Sequence, residues 1–357
     1  MNARLLSLFA PLWVVLAGCA AHSPASSTPA PKPTKVAALD AHARKLLAQD
    51  QALVKNLRGQ IQKFKLPPSK LLSNRALETW VYLPPGYEKS TARLPVVYLM
   101  HGSPGGLRDP WVNATVHRVA EKLITNGKIM PVILVGWDGA GPQGFDDPVF
   151  YLDRRDGKYG METWMVNELV PWVDGHFRTD ARPGARALVG FSAGGFAAAN
   201  LLFKHPDVWE IAASHAGFFD PADFPKPMLK ILGPRGPLWE RNSPIRRVRD
   251  LDAGTRIHFY MDCGRDDPLL PEFERMEAEL RARDIDFEAK VFDGAHDWSF
   301  LHDHYFDSLA FVNARFKETN RDNATGAAPT KEGSEKTATK SVNATPNANA
   351  APVAPGR

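Results

Sequence analysis

From Ala76 to Phe316 short β-rich runs alternate with longer helical ones, and this alternation limits the possible folds more than any other feature of the chain. Residues 77–83, 95–100, 132–135, 186–189, 211–216, 257–261 and 287–292 read as strands, and 112–126, 162–177, 193–203, 271–283 and 302–316 as helices. A strand that feeds a helix before the next strand begins pairs with its neighbours in parallel. The expectation is therefore the α/β class, a mainly parallel sheet with helices on both faces. In such sheets the working residues gather at the carboxyl ends of the strands. Residues 218–250 break the rhythm with many prolines and with turns rich in Trp and Phe, which suits a flap over the site.

The strand-to-helix junction at 186–203 carries the strongest local pattern. Gly190-Phe191-Ser192-Ala193-Gly194 fits GxSxG, and Gly195 follows it. The apolar Ala187-Leu188-Val189 runs into the pattern, and a small-residue helix through Ala197, Ala198 and Ala199 runs out of it. Such a turn needs glycine where backbone crowds backbone, and it lifts the Ser192 hydroxyl off the sheet at the positive end of a helix. A serine hydroxyl is a poor nucleophile until a base takes its proton, and an acid must hold that base in the right tautomer.

Eleven histidines compete for the role of base. His22 and His42 precede the domain, His117, His176 and His205 lie in or at the ends of helices, and His258 falls inside a strand. His296 differs: it stands in Asp293-Gly294-Ala295-His296-Asp297-Trp298, just past the last strand, where the base belongs in a Ser, Asp, His order. The acid is sought after the strand 257–261, in Asp262-Cys263-Gly264-Arg265-Asp266-Asp267. Asp262 adjoins the strand, whereas Asp266 and Asp267 lie beyond the Gly264 turn and can reach a neighbouring loop. Asp267 is preferred, with Asp266 as the alternative. In Met100-His101-Gly102-Ser103-Pro104-Gly105-Gly106 a glycine-rich loop follows a strand. The N–H of Ser103 there, with that of Ala193, can serve a developing oxyanion, and each such donor is worth about 3 kcal/mol in a transition state. Asp293, His296, Asp297, His302, Asp303 and His304 cluster in sequence, but His302 and His304 point apart on a helix, so no metal site is expected.

The ends of the chain read differently. Arg4, an apolar stretch over 5–16 broken by Pro11, and Leu16-Ala17-Gly18-Cys19 resemble a bacterial lipobox. That resemblance implies removal of 1–18 as a signal peptide and lipidation of Cys19, with 19–38 as a flexible tether rich in Pro, Ser, Thr and Ala. The apolar stretch is too short to span a bilayer, but several acyl chains on one cysteine hold firmly, at roughly 0.8 kcal/mol per buried methylene. By analogy with Gram-negative lipoproteins, Ala20 in place of an aspartate favours the periplasmic face of the outer membrane, with secretion as the alternative. Leu39, Ala43, Leu46, Leu47, Leu53, Val54, Leu57, Ile61 and Phe64 recur at helical spacing, which predicts one amphipathic helix over 39–66. The domain proper is expected over 76–317, and 318–357, without an aromatic residue, is expected to be a disordered tail. Once Cys19 is lipidated, Cys263 is left without a partner for a disulfide. Net charge is +4 with no dense basic stripe, which argues against nucleic acid as a partner.

Taken together, Tyr82-Leu83-Pro84-Pro85-Gly86-Tyr87, the HGxxGG stretch from His101, Glu168-Leu169-Val170-Pro171, GFSAGG from Gly190, CGxxD from Cys263 and GxHxW from Gly294 resemble the putative esterase family. That family includes enterochelin esterases, feruloyl esterases and mycolyltransferases, and the resemblance covers roughly 76–316. It implies an α/β-hydrolase fold, no metal or organic cofactor, Asp267 as the acid of CGxxD and His296 as the base of GxHxW. The expected activity is hydrolysis of a carboxylic ester, with a small-molecule, lipid or glycolipid ester as substrate. Two other readings compete: acyl transfer to a sugar hydroxyl, and a lipid-tethered binding protein that keeps an inactive hydrolase fold.

Overall fold

The computed structural model describes residues 45–325 except 47, 144–146, 148, 253 and 284. The chain divides into two compact units, 1–48 and 49–357. Of the first, only 45, 46 and 48 are described, all helical, so the expected signal peptide over 1–18, Cys19 and the expected tether lie outside the described residues, as does 326–357.

In the second unit eight strands form one sheet: β1 (Gln60–Lys65), β2 (Glu78–Leu83), β3 (Val96–Met100), β4 (Ile133–Trp137), β5 (Arg186–Phe191), β6 (Ile211–His215), β7 (His258–Gly264) and β8 (Phe287–Phe292). Their order is β1-β2-β4-β3-β5-β6-β7-β8. The first two pairings, β1 with β2 and β2 with β4, are antiparallel, and the five that follow are parallel. The expected mainly parallel sheet is therefore present. Among the described residues no helix is long and apolar enough to cross a membrane.

Helices cover both faces. Side chains of a strand point alternately up and down, so a central strand must be apolar on both sides. In β5, Leu188 joins one core while Ala187, Val189 and Phe191 join the other. Beneath the Leu188 face lie α2 (Val170–His176), α3 (Ala193–Lys204) and α4 (Leu270–Ala282), which contribute Val173, Leu201, Phe273 and Met276. On the other face α1 (Val116–Thr125) and α5 (Trp298–Thr325) bury Val116, Ala120, Leu301, Tyr305 and Leu309. Residues 218–250 hold three short helices, Pro225–Leu232, Pro237–Arg241 and Pro244–Arg247. The first two contribute Met228 and Trp239 to a third core, in which they pack with Phe218, Phe196 and Ala193, next to the GxSxG turn.

Two sequence expectations need correction. The helix over 39–66 stops early: 49–54 is helical, but Gln60–Lys65 is strand β1, in register with β2 from Gln60↔Leu83 to Lys65↔Glu78. Ile61 and Phe64 share one side of a helix but opposite faces of a strand. Ile61 packs on one core and Phe64 on the other, with the Phe64 ring 5.1 Å from Trp172. The open edge of β2 supplies the hydrogen bonds that settle the matter. At the other end α5 runs to Thr325, past the expected domain limit, because Thr319 is buried and its hydroxyl donates to the Gly184 carbonyl at 2.9 Å.

His117 on α1 is fully buried, with Nε2 at 3.2 Å from the Leu53 carbonyl and Nδ1 without a partner. Burial pushes its pKa down to about 4. The unfolded chain thus takes up a proton on this ring below about pH 6.5 while the native state does not. Stability supplied by neutral His117 is complete above pH 6.5 and falls as the pH drops toward 4, by roughly 3 kcal/mol in all. Denaturant unfolding of wild type and His117→Leu between pH 7 and pH 4 should show a flatter acid limb in the variant; equal slopes would contradict the assignment.

Candidate active site

β3, β4, β5, β7 and β8 end at the same edge of the sheet, and the loops that leave them bring the candidate residues together. Ser192 stands between β5 and α3 with φ 56° and ψ −114°, a backbone conformation that non-glycine residues rarely adopt. Its N–H donates to the His215 carbonyl at 2.8 Å, and its carbonyl accepts the Phe196 N–H at 2.9 Å. The turn is tight enough that a side chain at position 194 would meet the Met100 carbonyl oxygen at 2.3 Å, which explains the glycine there. The Ser192 side chain is half-buried at the start of α3, and its hydroxyl bonds to no described residue.

Asp267 and His296 arrive on neighbouring loops. A side chain at Gly264 would collide with the Gly294 carbonyl oxygen, which accepts the Asp266 N–H at 2.9 Å. With Arg265 N–H on the Phe292 carbonyl at 2.7 Å, these contacts close the loop after β7 onto the loop after β8. His296 Nδ1 donates to Asp267 Oδ2 at 2.8 Å, and Asp267 Oδ1 accepts the Leu269 N–H at 2.8 Å. The Asp267 carboxylate is buried, whereas the His296 side chain keeps 28% of its surface exposed. Nδ1 is thereby committed, and Nε2 is left as the basic nitrogen. The His296 ring lies 4.8 Å from that of Phe191, the residue before Ser192. Asp266 is exposed, so between the two aspartates only Asp267 reaches the imidazole.

Ser103 and Ala193 line one small cavity together with His101, Gly139 and Tyr151. His101 acts as a strut whose importance the sequence conceals. Its buried Nε2 accepts the Gly139 N–H at 2.9 Å, so Nδ1 carries the proton and donates to the Gly102 carbonyl at 2.7 Å. Burial lowers its pKa, which keeps the ring neutral and this pair of bonds intact. The Tyr151 hydroxyl donates to the His101 carbonyl at 3.1 Å. The loops after β3 and β4 are thus joined around the cavity. A histidine directly after a buried strand is the only sequence signal for this.

The remaining candidates are engaged elsewhere. His205 bonds Glu162, His258 bonds Asp286, and His176 bonds the Trp172 carbonyl. His302 faces Thr115 and the Ala114 carbonyl, and His304 stacks on Phe292, so the acid and histidine cluster of the last loop converges on no single point. No group of three or more metal-ligating side chains occurs among the described residues. Of the aromatic residues in 218–239, Phe218, Phe219 and Trp239 are buried core and Phe224 is half-buried. Cys263 is buried and has no disulfide partner among the described residues. Burial, ahead of the neighbouring Asp267 and Asp262 carboxylates, raises its thiol pKa far above the usual range.

A mainly parallel sheet with a strained serine turn after β5, an aspartate after β7 and a histidine after β8 defines an α/β hydrolase. A ferulic acid esterase structure superimposes with a TM-score of 0.63 at 24% identity, covering 73% of this chain and 100% of that one. An S-formylglutathione hydrolase from Agrobacterium tumefaciens gives the same TM-score at 23% identity, over 73% of this chain and 96% of the other. The family described as putative esterase matches residues 69–309, more than half of the sequence, and the chain belongs to that family. It is 35% identical to an esterase of Mycobacterium tuberculosis over 137 residues, 38% of this chain and 28% of that protein. It is 26% identical to a diacylglycerol acyltransferase/mycolyltransferase of Mycobacterium gordonae over 254 residues, 60% of this chain and 71% of the other. The chain thus spans under a third of the Mycobacterium tuberculosis esterase.

Proposed function

We propose that this chain is a serine esterase of the cell envelope that hydrolyses a carboxylic ester through an acyl-enzyme on Ser192. The observation that carries the reading is the buried Asp267 carboxylate bonded at 2.8 Å to His296 on the same sheet edge as the Ser192 turn. In the first step His296 Nε2 takes the Ser192 proton as Oγ attacks the ester carbonyl, and the N–H groups of Ser103 and Ala193 receive the oxyanion. Return of that proton to the leaving oxygen releases the alcohol and leaves the acyl group on Ser192. Water, deprotonated by the same imidazole, then attacks the acyl carbonyl; the bond to Ser192 Oγ breaks, the imidazole returns its proton to Oγ, and the acid is freed. The free Ser192 hydroxyl agrees with this scheme, since catalytic hydrogen bonds are often loose until substrate binds. The lipobox-like Leu16-Ala17-Gly18-Cys19 supports an anchor through Cys19 at the periplasmic face of the outer membrane.

The match to an acyltransferase over 60% of the chain favours a second reading, acyl transfer to a sugar hydroxyl. The two differ only in what attacks the acyl-enzyme. Incubation of the purified chain with an acyl ester, with and without excess trehalose or glucose, is expected to yield only free acid and alcohol in both. An acylated sugar as the main product would replace hydrolysis by transfer.

A further inference from the structure

A second array of serine, histidine and aspartate lies sealed beneath the Ser192 turn. His215 Nδ1 is 2.9 Å from both carboxylate oxygens of Asp262, and its Nε2 is 2.9 Å from Ser308 Oγ. The Tyr260 hydroxyl adds a bond to Asp262 at 3.0 Å, and Ser308 Oγ lies 3.2 Å from the Tyr305 carbonyl. His215 and Ser308 are fully buried and Asp262 is 1% exposed, so no substrate reaches this array. Burying such groups is costly unless every one is bonded, and apolar side chains of the same volume would serve packing as well or better. Cohesion alone is a poor reason for its presence.

The backbone of the same residues shows what the array touches. The His215 carbonyl holds the Ser192 N–H at 2.8 Å, and the Asp262 carbonyl holds the Ala216 N–H at 2.8 Å. Ser192 and Ala216 both carry positive φ, 56° and 48°. Such conformations are strained and persist only where the surroundings over-determine them. The side chains then lock the two carbonyl-bearing residues to each other and to α5, the helix that begins two residues after His296. One polar chain thus links the anchor of Ser192, the strand that leads to Asp267 and the helix that follows His296.

We infer that Asp262, His215 and Ser308 are positioning residues that hold the Ser192 hydroxyl in register with His296. The inference rests on the proposed serine esterase activity. Loss of the array lets the strained turn relax, and a shift of about 1 Å at a reacting atom costs on the order of 100-fold in rate. Substrate binding, which depends on the pocket walls, is left in place.

The test uses the purified full-length chain with Ser308→Ala, Ser308→Thr and Asp262→Asn, read by p-nitrophenyl acetate hydrolysis, the second-order rate of fluorophosphonate labelling, and thermal unfolding. Ser308→Ala and Asp262→Asn are expected to lower kcat 10- to 100-fold with KM within twofold, and to slow labelling in parallel while the protein stays folded. Ser308→Thr, which keeps the hydroxyl, is expected to recover most of the loss. A folded Ser308→Ala with kcat within twofold of wild type would overturn the inference, and this variant decides alone where Asp262→Asn does not fold. So would a loss that only follows a smaller folded fraction, with turnover per labelled site unchanged. Wild type that neither labels nor hydrolyses would remove the proposed function and this inference together, whereas active wild type beside unaffected variants removes the inference alone.

Discussion

Replacing Ser192 by alanine is expected to lower kcat/KM for a simple aryl ester by about 10⁵-fold while moving the unfolding midpoint by no more than a few degrees. The two halves of this expectation have separate causes. The hydroxyl is the only atom removed, and it makes no hydrogen bond among the described residues, so no partner is left unsatisfied. The turn itself is held by backbone bonds to His215 and from Phe196, which alanine keeps. What disappears is the atom that would form the covalent bond. Residual catalysis is confined to what oriented N–H donors and His296 can achieve with water. A folded Ser192→Ala retaining a tenth of the wild-type rate, or labelled by a fluorophosphonate at another residue with unchanged turnover, would place the chemistry elsewhere.

The neighbouring pair Asp266 and Asp267 should separate sharply. Asp267→Asn is expected to cost 10³- to 10⁴-fold in kcat, whereas Asp266→Asn should stay within threefold of wild type. Asp267 Oδ2 accepts the proton on His296 Nδ1, and an amide nitrogen there would present a donor to a donor. The ring would turn or change tautomer, and Nε2 would no longer be the basic nitrogen. Asp266 is exposed and meets the last loop through its backbone N–H alone, which asparagine retains. Steady-state kinetics on both variants decide the point. Equal losses would mean that the carboxylate acts through the local field rather than through its bond to the imidazole.

Much of this site was legible in the residues. Ser192 announces itself because a strained turn needs small residues around it, and His296 because it follows the last strand of a predictable alternation. The choice between Asp266 and Asp267 was open at that level, since adjacent residues share composition and spacing and differ only in which one the Gly264 turn buries. The strut role of His101 was hidden for a related reason: its partner Gly139 belongs to another loop, 38 positions away. No local pattern could reveal the array under the Ser192 turn. His215 lies 47 positions from Asp262 and 93 from Ser308, and only the folded sheet brings them within bonding distance.

Local pattern was enough to indicate the α/β class and to single out Ser192 and His296 as candidates for nucleophile and base. These follow from period, turn chemistry and spacing, which act over a few residues. The tertiary structure alone decided that Gln60–Lys65 completes the sheet as a strand, that α5 continues to Thr325, and that Asp267 rather than Asp266 meets the imidazole. Each of those outcomes depends on a partner distant in the chain, β2's open edge, the Gly184 carbonyl or the His296 ring. Hydrogen bonds and burial supplied by such partners outweigh the local preference of any segment.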